Sequence, residues 1–303
     1  MSESQSQSIT LYQLAAHGTP NTARPDFDDV GLQGLVDETS EWWALRRQAD
    51  IASTFAMMNA GTDVANRARE ILGLFGSIAE QAMIAAAVEI EVEHLRRARS
   101  CGDLPEAMII AERWYSEHEG QTLLGIGHAL TNLVMRAALL RPDLRAATLA
   151  LGRYDGRFLD APGSDDSRAW ISFGSGHADA LLGIGVQFKE RDFERMCRAL
   201  KQLAESDAWT YVEAQRGEDF HRWRRESSVL SGVDSRPLEP PVAGRVYTLG
   251  ETPPTYTDAN EMEQFVAAIV HDAATLLGPT LNEIRLAFEA AAHSLTDKAF
   301  GFS

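Results

Sequence analysis

Residues 103–141 read DLPEAMIIAERWYSEHEGQTLLGIGHALTNLVMRAALLR, the most apolar long segment of the chain. Asp103 can accept from the free amides of a first helical turn, Pro105 sits where a missing N–H does no harm, and Glu106 completes a capping-box pattern. Beyond Gly120, at about 100° per residue, Gln121, Gly125, His128, Asn132 and Arg136 fall on one narrow stripe. Leu123, Ile126, Leu130, Leu133, Val134 and Ala137 cover the opposite side. A helix apolar round most of its circumference is a buried one. The stretch therefore predicts two successive helices, or one helix broken near Gly120, lying inside a bundle. Pro142 stops it and opens the next helix, with Asp143 in the first turn.

Towards the N-terminus, Thr62 or Asp63 caps a long helix to about Arg99, with Ile71, Leu72, Phe75, Ile78, Ala82 and Ala86 among its apolar positions. Gly73 and Gly76 within it are expected to let a neighbour come close. Residues 28–58 carry Leu32, Leu35, Trp42, Trp43, Leu45 and Ile51 at helical spacings.

Towards the C-terminus, a short helix over 143–152 leads to a helical run from Asp165 or Asp166 to about Phe188. Residues 190–205 and 207–229 follow as an antiparallel pair. Pro237, Pro240, Pro241, Pro253 and Pro254 exclude a helix over 232–257, where GRVYTLG makes a short strand or an extended crossing. Asp258 caps a helix to Leu277, and Gly278-Pro279 reads as a stop and restart before a last helix to about Ala299. The pentapeptide LLGIG at 123–127 recurs at 181–185, a slight sign of duplication.

These elements predict the all-α class, a multi-helix bundle of about nine to eleven helices with a Pro-rich connector and a C-terminal helical hairpin. Residues 1–231 form the main bundle, 232–257 the connector, and 258–303 the hairpin packed back on the bundle as one compact unit. With 303 residues, 45% apolar and 24% charged, the chain has length and composition enough for a real core. A formal charge of −16 repels phosphate backbones and disfavours bulk nucleic-acid binding. Cys101 and Cys197 make neither a disulfide framework nor a zinc cluster. The opening MSESQSQSIT lacks a signal-peptide core, and Arg136 interrupts the 123–140 apolar run, so no membrane span and a cytoplasmic location are expected.

Three constellations carry possible chemistry. Arg113-Trp-Tyr-Ser-Glu-His118 resembles the Arg-to-His spacing of the HEPN ribonucleases. That resemblance implies an all-helical fold and a dimer cleft, in which Arg113 stabilises a pentavalent phosphate and His118 transfers the proton without a metal. Trp114 departs from the small polar residue usual there. Arg216 and His221 repeat the spacing, and about two such matches are expected by chance.

Glu91-x-x-His94 has the spacing of di-iron carboxylate bundles, but only one such motif is present, so no residue is assigned to a metal. The run Glu89-Ile-Glu-Val-Glu-His94 reads as a solvated acidic face. The third constellation is Gln121, His128, Asn132 and Arg136, whose side chains can line a small-molecule pocket or simply form the wet side of the helix. A buried Arg136 would need a carboxylate nearby. The six tryptophans read as core anchors.

No cofactor is indicated. The expected function is that of a helical binding or regulatory protein, acting on an unidentified protein or small molecule through helix surfaces or a polar-lined pocket and able to self-associate. The alternative is an enzyme with its site in the bundle, either an HEPN-like ribonuclease or a histidine/carboxylate metal-dependent oxidase.

Overall fold

The computed structural model describes residues 24–59, 62–100, 106–155, 170–221, 234–237, 247–248 and 256–300. Among them the protein is an all-α helical bundle. Its helices are α1 (Gln33–Asn59), α2 (Thr62–Ser100), α3 (Glu106–Leu139), α4 (Pro142–Asp155), α5 (Ser175–Phe188), α6 (Arg191–Glu205), α7 (Asp207–His221) and α8 (Tyr256–Phe300). Of the connector, Asp234–Pro237 (β1) pairs antiparallel with Tyr247–Thr248 (β2). The rest of 232–255 lies outside the described residues.

Helix α3 is the centre of the bundle and packs on α2, α4, α5, α6, α7 and α8. Residues 129–139 are buried without exception, and Leu123, Ile126, Leu130 and Leu133 are fully enclosed. Burying each such side chain contributes about 1.5–3 kcal/mol. Segments Arg69–Ala98 and Trp114–Leu139 are each long and apolar enough to cross a bilayer, but most of the second and half of the first are buried inside the protein.

The interruption expected near Gly120 does not occur, and α3 is one helix. A helical glycine costs only about 1 kcal/mol against alanine, less than the packing on either side of it. The C-terminal hairpin is likewise replaced by a single helix that runs through Gly278 and Pro279. Gly278 is no stop signal: a Cβ there would stand 3.3 Å from the Leu35 backbone nitrogen, so its bareness lets α8 cross close over α1. Leu277, Leu281 and Ile284, on both sides of the proline, are buried in the same core. That shared burial outweighs the roughly 3 kcal/mol an interior proline costs.

Of the helical run expected from Asp165 or Asp166 to about Phe188, residues 165–169 lie outside the described residues, 170–173 carry no regular secondary structure, and α5 begins at Ser175. Gly174, at φ 158°, makes the turn between them, in a region of backbone space open chiefly to glycine. In α2, Gly73 meets no neighbour, whereas Gly76 makes room for the Arg46 guanidinium. Trp42 and Trp209 are core anchors as expected, but Trp114 and Trp170 are exposed.

Candidate functional site

Of the polar stripe of α3, Asn132 and Arg136 are buried and His128 is half-buried. Asn132 is fully enclosed: its Nδ2 donates to the carbonyls of His128 (2.7 Å) and Ile171 (2.8 Å), and its Oδ1 accepts from the Ile171 amide (3.0 Å). His128 Nδ1 accepts from the Phe173 amide at 2.7 Å, which leaves the proton of the neutral ring on Nε2. Segment 170–173 is thus held to α3 by side chains that bond its backbone.

Gly127 lies beneath it, where a Cβ would come 2.9 Å from the Phe173 ring and 3.0 Å from Trp209. Trp209 in turn donates its indole N–H to the Ala273 carbonyl of α8 at 2.9 Å. One turn beyond Asn132, the buried Arg136 finds the required carboxylate in Glu70 of α2, at 2.6 Å. Gln121 is exposed and stands apart from the other three.

The first half of α3 presents a different face. Trp114, 40% exposed, stacks on the exposed His118 imidazole with ring centroids 5.3 Å apart and planes 2° from parallel. Tyr115 meets Trp114 edge-on at 5.2 Å. Trp114, His118 and Gln121 follow at i, i+4 and i+7, so one exposed row of aromatic, imidazole and amide runs along a helix whose other described residues are buried or half-buried. Arg113 lies on the same helix, with its side chain outside the described residues. The same holds for Arg216 and His221 on α7.

Glu91 of the Glu-x-x-His pair is taken by Arg24. His94 has its Nδ1 buried without a hydrogen-bond partner, and burial, then the charges of Arg24 and Arg97, push its imidazole below the usual range. Among the described residues no three His, Cys, Asp or Glu side chains gather to hold a metal ion.

The expected solvated acidic face is corrected at Glu89, which is 1% exposed. It faces Glu119 of α3, 0% exposed, and accepts from His271 of α8 across 2.8 Å (Nδ1 to Oε1). Neither oxygen of Glu119 nor Oε2 of Glu89 meets an ordinary donor. Burial first, then the charge of Glu89 and a hydrogen bond to it, hold the Glu119 carboxyl well above the usual carboxylate range against the pull of Arg96. A protonated Glu119 supplies the donor that two bare carboxylates lack. The hydrogen bond to Glu89 raises His271 in turn.

Compared with protein-family models, with curated proteins and with solved structures, the chain matches none.

The buried carboxyls were missed because acidic residues are read as surface, yet a signal was present. On α2 the positions 71, 75, 78, 82, 85, 89 and 92 keep alternating four- and three-residue steps, and every one is buried. On α3 the same steps link Glu112, Ser116, Glu119, Leu123, Ile126, Leu130, Leu133 and Ala137, all buried. A carboxylate standing on such a ridge faces the core whatever its chemistry.

Proposed function

We propose that this chain is a cytoplasmic helical binding protein that recognises a protein partner through the outer row of α3, with Trp114 as anchor and Tyr115, His118 and Gln121 around it. The observation that carries the reading is the exposed, coplanar Trp114–His118 stack. A large aromatic side chain left in water and held in place by a stacked neighbour is the arrangement that binding hot spots favour. The rest of the α3 stripe supports the same division of labour, because His128, Asn132 and Arg136 are engaged in holding the fold. The formal charge of −16 favours a basic partner surface.

The test places a photo-crosslinking amino acid at position 121 of the full chain in its source cells. A discrete cross-linked partner is expected, and W114A should abolish it while leaving the helical circular dichroism unchanged. Equal capture by W114A, or no capture at all, refutes the reading.

One observation favours the second reading, metal-independent RNA cleavage by Arg113 and His118: the His118 imidazole is exposed and not packed in the core. Purified protein should then cut a fluorescent RNA in the presence of chelator, with H118A inactive. Cleavage that persists in H118A rules this out.

A further inference from the structure

Helix α8 meets the α2–α3 pair at a buried polar junction. His271 reaches Glu89 at 2.8 Å, and Glu89 and Glu119 are each exposed by 1% or less. Two carboxylates facing each other in so dry a place repel strongly and have no donor between them. One shared proton removes the repulsion and supplies the donor. An imidazolium at 271 then balances the single negative charge that remains.

We propose that Glu89, Glu119 and His271 form a proton-operated latch, which fastens α8 to α2 and α3 while it holds two protons and loosens α8 as they are withdrawn. The protons leave to water by way of His271, whose side chain is 30% exposed while both glutamates are closed off. What yields is α8 at the edge where it meets α2, because its contact there is slight and its larger contacts are with α6 and α1, whereas α2 and α3 pack along their lengths.

Among the described residues, the other charged groups acting on the latch are Arg96 of α2, which opposes protonation of both Glu119 and His271, and Asp272 of α8, which favours it at His271. Arg96 is itself tied to Glu93 at 3.0 Å. Glu112 lies buried farther along α3. Among the described residues, none of the groups acting on the latch comes from α1, α6 or α7.

Both groups bind their proton more tightly in the folded chain than in the unfolded one. Their contribution is therefore complete below the unfolded values, 4.5 for Glu119 and 6.5 for His271, and is lost as pH climbs through the raised folded ones. The latch is closed in acid and opens towards alkali.

Hydrogen exchange on the full chain, from about pH 6 to about pH 9 and with intrinsic base catalysis divided out, reads the latch directly. Protection of peptide 266–280 is expected to fall about tenfold per pH unit for each proton released, while peptide 123–139 stays protected. E119Q keeps a donor but has no proton to lose at that position, so its slope should be shallower by one proton. A pH-independent α8, an unchanged slope in E119Q, or loss of protection in 123–139 in step with α8 overturns the proposal. An infrared carbonyl band from a protonated carboxyl at neutral pH, fading where α8 loosens, is expected in the wild-type chain without any variant, and its absence is equally fatal.

Discussion

Replacing Asn132 by alanine tests whether the α3 stripe is structural. The wild-type side chain makes three hydrogen bonds, to the His128 carbonyl and to both backbone groups of Ile171, from a position with no exposure. Each bond contributes about 1 kcal/mol net, and a buried partner left alone costs about 1–3 kcal/mol. Ile171 is itself 1% exposed, so both its amide and its carbonyl lose their partner. The expected cost of N132A is roughly 3–5 kcal/mol, read from the urea midpoint by far-ultraviolet circular dichroism.

N132D sharpens the test. Its carboxylate still accepts from the Ile171 amide but turns an oxygen towards two carbonyls, so the penalty at neutral pH should be at least as large. Protonation restores one donor. The folded variant therefore holds that proton more tightly than the unfolded one, and its stability should be regained as pH falls and lost as pH rises. Thr122, whose hydroxyl bonds only the His118 carbonyl one turn back on the same helix, serves as control, with T122A expected within about 0.5 kcal/mol of wild type. If N132A also falls within about 1 kcal/mol, water is filling the site and the clamp argument fails.

Other outcomes follow from the packing. G127A should cost about 1–3 kcal/mol by pushing Phe173 and Trp209 apart, seen as a lower midpoint with the native fold retained; an unchanged midpoint means the rings have slack. Pro279 is exposed inside α8, so P279A should raise the thermal midpoint, by about 2 kcal/mol of stability, as the turn regains its amide while the unfolded chain regains about 1 kcal/mol of freedom; a lowered midpoint contradicts this. Glu38 accepts from Arg285 of α8 at 2.5 Å and from the buried Trp42 indole at 3.1 Å, so E38A should cost about 3–5 kcal/mol by denaturant titration, and a cost near zero would show that the bridge is idle. Burial, then the Glu194 charge, pushes the Cys197 thiol up, so alkylation at Cys197 should be slow in the native chain and fast in denaturant; rapid native labelling, located by mass spectrometry, would point to local opening.

The apolar periodicity of residues 123–139 was sufficient to place that segment inside a helical bundle, because a helix hydrophobic on nearly every side has no stable home in water. Proline chemistry marked the start of α4 at Pro142 for the same local reason, a missing amide being harmless in a first turn. Local signals failed where a distant partner outweighed them. Gly278-Pro279 reads as a break until Leu35 comes within reach of Gly278 and a shared core spans both sides.

The need of a buried Arg136 for a carboxylate was legible in the sequence, but Glu70 as that carboxylate was not, since 66 residues separate them. Exposure of Trp114 and enclosure of Glu89 were equally beyond reach of composition. A side chain's chemistry sets the cost of each surrounding, whereas only the meeting of α2, α3 and α8 decides which surrounding it has. Helix content is a property of neighbours along the chain. The junction of Glu89, Glu119 and His271 is a property of neighbours across it.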